Sequence, residues 1–103
     1  MATYLDRVGR VKDILLFLHR EKMASDSWSS VGDYARFAGI SKSPHLKQIF
    51  GQLWREGIIR KEEVDYRATI MYLYQIDYAN VSKLYPHIRQ ILMEIGWQEE
   101  LGL

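Results

Sequence analysis

Val31-Gly32-Asp33-Tyr34-Ala35-Arg36-Phe37-Ala38-Gly39-Ile40-Ser41-Lys42-Ser43-Pro44-His45-Leu46 is the stretch around which the rest of the chain falls into order. Ser30 stands just ahead of it with an acid, Asp33, three residues on, close to a capping box that answers two bare N–H groups at a helix start. Val31, Tyr34, Ala35 and Ala38 then recur at helical spacing as one apolar face. Gly39 stops that helix, because glycine enters the left-handed conformation without a steric penalty. A second helix follows almost at once. Ser41 or Ser43 can cap it, and Pro44 suits its first turn, where the missing N–H is no loss. Leu46, Ile49, Phe50 and Leu53 form its inward stripe, and Gly57 ends it. Ala35 is small enough for the two helices to cross closely, and Ile40 plugs the turn between them into a core.

Upstream, Leu5, Val8, Val11, Leu15 and Leu18 repeat at spacings that predict a helix over 4–22. Residues 24–30 are small and polar apart from Trp28, a loop with Trp28 as its expected anchor into the core. Downstream, Ile58 and Ile59 open an extended segment to about Val64, Asp65-Tyr66-Arg67 makes a turn, and Thr69 to Ile76 is a second strand with Ile70, Tyr72, Tyr74 and Ile76 on one face. In the tail, Leu84, Ile88, Ile91, Leu92 and Ile95 predict a further helix starting near Pro86 and ending at Gly96, followed by Trp97, Leu101 and Leu103. The expectation is an α+β fold, mainly α. It is one domain over 1–103, with a core of 4–77 and a carboxyl-terminal helix and tail over 80–103.

Composition narrows the function classes. The chain of 103 residues is 48% hydrophobic and 26% charged, ordinary for a globular domain. It has no cysteine, which removes disulfides, thiolate metal sites and a cysteine nucleophile together. The longest apolar run, Ile14 to Leu18, is far short of the roughly 20 residues a membrane span needs. The amino terminus, with Asp6, Arg7 and Arg10 on an amphipathic pattern, lacks signal-peptide features, so a cytoplasmic location is expected. Net charge is only +1, but it is unevenly spread. Tyr34 to Arg55 contains Arg36, Lys42, Lys47 and Arg55 and no acid, whereas the region after Arg67 is mildly acidic. A basic middle of this kind orients a protein towards phosphate.

The order of helix, helix, tight turn, helix, two-stranded hairpin and helix resembles the bacterial and phage winged helix-turn-helix regulators. The residues carrying the resemblance are Ala35, Gly39, Ile40 and Ser41, then the stripe through Leu46, Ile49, Phe50 and Leu53 to Gly57-Ile58-Ile59. It covers about residues 5–77. The interval from Gly39 to Gly57 is a residue longer than the family's usual spacing, with Ser43-Pro44-His45 at the excess, so a shifted helix start is expected. The resemblance implies sequence-specific binding of double-stranded DNA as a small transcriptional regulator or a phage or plasmid control protein. The helix after Pro44 would lie in the major groove, and Lys42, Ser43, His45, Lys47 and Gln48 would face base edges. Gln52 and Arg55 would meet backbone phosphate, with Arg60, Lys61, Tyr66 and Arg67 on the wing. A homodimer through the carboxyl-terminal helix would offset the weak net charge by pairing two recognition helices, the alternative for this tail being to pack over the first helix.

No enzyme chemistry is expected. His19, His45 and His87 have no ligand spacing, so no metal and no cofactor is assigned. Glu62 and Glu63 are neighbours on a strand and point to opposite faces, which prevents them from sharing a site. Most aromatic residues fall on inward faces and belong to packing, with Tyr66 the exception. The acids Glu62, Glu63 and Asp65 beside the wing bases leave one rival open, a winged-helix adaptor for protein–protein contacts in a larger assembly.

Overall fold

A computed structural model describes residues 6–77. The expected carboxyl-terminal helix, with Pro86, His87 and Trp97 to Leu103, lies outside the described residues, as does the dimer surface assigned to it. The elements run α1 (Arg7–Ser25), α2 (Val31–Ala38), α3 (Pro44–Arg55), β1 (Ile59–Tyr66) and β2 (Thr69–Ile76). The fold is therefore α+β and mainly helical, with a two-stranded antiparallel sheet. Among the described residues no helix is long and apolar enough to cross a membrane.

Local chemistry sets the helix ends. α1 starts later than its apolar repeat suggests, because the Asp6 side chain accepts from the Gly9 N–H and fixes the cap there. It runs on to Ser25 and closes at Asp26, a non-glycine residue at φ 53°. At α2, Ser30 and Asp33 form a full capping box: Oγ accepts from Asp33 N at 3.1 Å and Asp33 Oδ2 accepts from Ser30 N at 2.9 Å. Gly39 then takes φ 71°, and the N–H of Ile40 returns to the Ala35 carbonyl at 3.0 Å. Of the two serines offered for α3, Ser43 is the cap, its Oγ accepting from Leu46 N at 3.2 Å, with Pro44 in the first turn.

One core holds these elements together. Val11, Ile14, Leu15, Phe17 and Leu18 of α1 pack with Val31, Tyr34 and Ala35 of α2. Leu46, Ile49, Phe50 and Leu53 of α3 join them, with Ile58, Ile59, Tyr74 and Ile76 from the base of the hairpin. Ile40 packs against this cluster, as the turn requires. Phe50 is its hub: its ring lies 5.9 Å from that of Tyr34 and 5.1 Å from that of Tyr74, so it joins α2 to β2. Trp28 does not anchor the loop in the core; it is half-buried. The backbone of its neighbour Ser29 does that work through two bonds to Tyr74, at 2.9 and 2.7 Å. At this point of the loop the N–H and C=O groups, and not the indole, make the link to the sheet.

The hairpin departs from its expected form. β1 runs through Asp65 and Tyr66, and the reversal falls on Arg67 and Ala68, at φ 50° and 65°. Two successive left-handed residues give the tight turn that matches strand twist, a place usually taken by asparagine and glycine. Thr69 Oγ1 donates to the Tyr66 carbonyl at 2.7 Å and closes it. Ile70, Tyr72, Tyr74 and Ile76 do share a face, but burial divides it. Tyr74 and Ile76 are buried at the base, while Ile70 and Tyr72 are exposed further out. On the opposite face Gln75 is buried, its amide donating to the Asp26 carbonyl at 3.2 Å and to Asp26 Oδ1 at 3.1 Å. That contact ties the end of α1 to the sheet.

Buried Tyr34 joins α1 to α2 by polar contacts as well. Its hydroxyl donates to Asp13 Oδ2 at 2.6 Å and accepts from Arg10 at 2.9 Å. Burial, reinforced by the Asp13 carboxylate, pushes this phenol up to about 12 from 10.0. A phenol with a raised folded value stabilises the fold fully below pH 10 and loses that contribution as pH climbs through 12. Urea unfolding from pH 9 to 12 should therefore show wild type losing roughly 2 kcal/mol more than Tyr34→Phe. Parallel curves for the two proteins would rule out Tyr34 as the source. Burial also raises the Tyr74 phenol, which remains in both proteins and cancels in the comparison.

Candidate nucleic-acid interface

α3 has two unlike sides. Leu46, Ile49, Phe50 and Leu53 are all at or below 3% exposure and face the core. That burial orients the helix, so His45, Lys47 and Gln48 must stand outward, and they are exposed. Lys42, just before the cap, and Arg55, in the last turn, are exposed too. Among the described residues none of these five side chains has an ion-pair or hydrogen-bond partner. They can meet a ligand without first breaking a contact.

Four of the other six expected contact residues are already engaged within the fold. Ser43 Oγ is occupied by the Leu46 N–H. Gln52 is half-buried and donates to Glu56 Oε1 at 3.2 Å. Arg60 pairs with Asp77 Oδ2 at 3.4 Å. The ammonium of Lys61 lies 3.6 Å from the ring centre of Trp54 and 4.8 Å from that of Tyr72. Tyr66 and Arg67 are exposed at the hairpin tip, with the guanidinium 5.2 Å from the Tyr66 ring centre.

Tertiary structure gathers five of the candidates into two places. Lys42, Lys47 and Tyr66 line one cleft of about 580 Å³, between the start of α2, the start of α3 and the hairpin; Ile70 and Tyr72 are on its far wall. A Cβ placed on Gly32 would meet the Lys42 side chain at 3.8 Å, so the lysine stem passes over the first turn of α2. Ser43 and His45 belong to a separate hollow of about 480 Å³ with Arg7, Arg10 and Ile40. Arg7 and Arg10 are absent from the sequence-derived set. They are more than thirty residues away along the chain, and only packing of α1 beside α3 brings them near.

Charge divides the helix from the hairpin. The hairpin carries exposed Glu62, Glu63 and Asp65. By register Glu63 faces Tyr72 and Asp65 faces Ile70, so those acids share the hairpin face that holds the exposed apolar side chains. The exposed bases thus lie on α3 and its approach, while the outer hairpin is acidic apart from Arg67 at the tip. Among the described residues no group of histidines and carboxylates can hold a metal ion. Comparison of the chain with protein-family models, with curated proteins and with solved structures finds no match.

Proposed function

We propose that the chain is a winged helix-turn-helix module that binds double-stranded DNA as a small transcriptional regulator or a phage or plasmid control protein. One observation carries this reading. The outward side of α3 offers Lys42, His45, Lys47, Gln48 and Arg55 without partners, and no acid interrupts the sequence from Tyr34 to Arg55. A helix with its side chains fits the major groove, about 12 Å wide, where a glutamine can make two hydrogen bonds to adenine and a lysine can reach guanine or phosphate. With α3 so placed, Lys42, Lys47, Arg55 and Arg67 are the backbone contacts. Ser43 acts by fixing where the helix starts, and Gln52, Arg60 and Lys61 act within the fold.

Titration of the full chain with labelled random duplex at a series of salt concentrations tests this. Four phosphate contacts predict a slope of log affinity against log salt of about −3 to −4, a loss of roughly 100-fold between 50 and 200 mM. Absence of binding at low salt would refute the proposal. It would favour the adaptor reading, which draws on exposed Ile70 and Tyr72 beside Asp65 and Glu63, a surface better suited to a protein than to a phosphate backbone.

A further inference from the structure

We infer that Lys61 is a latch that fixes the pitch of the hairpin against α3 and does not contact phosphate. Its ammonium sits against two rings from different elements: Trp54 in the last turn of α3, and Tyr72 on β2. An ammonium over an aromatic face is held by the ring's negative quadrupole, more strongly where water is partly excluded. Lys61 is half-buried, and among the described residues no carboxylate pairs with it, so the two ring faces are what holds its ammonium.

The placement gives the contact mechanical consequence. By register Lys61 stands opposite Tyr74, whose ring is packed on Phe50 of α3 inside the core. Phe50 and Trp54 are one helical turn apart, and Tyr74 and Tyr72 are two residues apart on the same face of β2. Helix and strand are therefore joined twice in succession, first by the buried Phe50–Tyr74 pair and then by Trp54, Lys61 and Tyr72. Beyond that second contact the hairpin has no core residue, since β1 and β2 further out are exposed or half-buried. Lys61 marks where support from the helix ends. The position of Tyr66 and Arg67 relative to Lys47 depends on it.

The latch rests on geometry alone; its effect on DNA affinity rests on the duplex-binding proposal, and two separate readouts keep them apart. Lys61→Met keeps an apolar stem between the rings and removes the charge, and Lys61→Arg restores a cation. Without DNA, amide hydrogen exchange in the outer hairpin (residues 62–71) should quicken by about threefold in Lys61→Met, as expected for loss of a half-buried cation–π contact. Lys61→Arg should stay within a factor of about 1.5 of wild type. Trp54→Leu, which removes the ring and leaves the ammonium, should reproduce the quickening. With random duplex, Lys61→Met should bind more weakly at an unchanged salt slope. Unaltered hairpin exchange in both Lys61→Met and Trp54→Leu overturns the latch. A salt slope reduced by about one shows instead that Lys61 touches phosphate, and overturns it as well. Should the wild-type chain bind no duplex, the exchange measurement still decides the latch while the functional proposal fails.

Discussion

Phe50→Ala is expected to cost about 3–5 kcal/mol, the largest loss for any single side chain in this fold. Phe50 is fully buried and its ring touches those of both Tyr34 and Tyr74. Truncation leaves a cavity at the point where α2, α3 and the hairpin meet. The cavity can close only by moving side chains of α1, α2 and the hairpin base that are themselves packed in the core. A domain of this size has only about 5–15 kcal/mol of stability in total, so the midpoint of thermal unfolding should fall by roughly 20 °C. Phe37 is the internal control. It is aromatic and helical like Phe50 and stacks on Phe17 at 4.9 Å, but it is 53% exposed. Phe37→Ala should cost no more than about 1.5 kcal/mol. Urea unfolding of the two variants checks the ranking, and an equal or reversed order would mean the core is not centred on Phe50.

The second large effect concerns binding. In the double variant Lys47→Ala with Gln48→Ala, affinity for a site selected from a random duplex pool should fall about 100-fold, combining one base-reading pair and one phosphate contact. Both side chains are exposed and without partners in the fold, so the unfolding midpoint should move by no more than about 2 °C. Undiminished affinity in the folded double variant would take α3 out of the interface. The selected sequence has its own use: a palindrome would report a dimer and its half-site spacing, about 34 Å for helices one DNA turn apart.

These effects separate two roles that sequence position alone had merged. Lys42, Lys47 and Lys61 are all lysines among the expected contact residues. In the fold the first two line an open cleft, and the third is held between aromatic rings. Ser43 and Gln52 divide from His45 and Gln48 in the same way, since hydrogen bonds within the fold occupy the first pair.

Much of the architecture was legible along the chain because its causes are local. A cap needs a hydroxyl or carboxylate at one position and N–H groups within three residues, so Ser30 with Asp33 and Gly39 announced both ends of α2. The stripe of Leu46, Ile49, Phe50 and Leu53 fixed the inner side of α3, and with it the outward direction of Lys47 and Gln48. The turn at Arg67 and Ala68 was hidden because neither residue type favours a left-handed backbone; strand pairing on both sides imposes it. Trp28 misled because a large apolar side chain suggests an anchor, while the anchor is the Ser29 backbone, identical for any residue. The joining of Arg7 and Arg10 to His45, the burial of Gln75 against Asp26, and the capture of Lys61 all depend on elements distant in sequence. Only packing sets those distances, because apolar burial has no preferred partner until the helices have found one another.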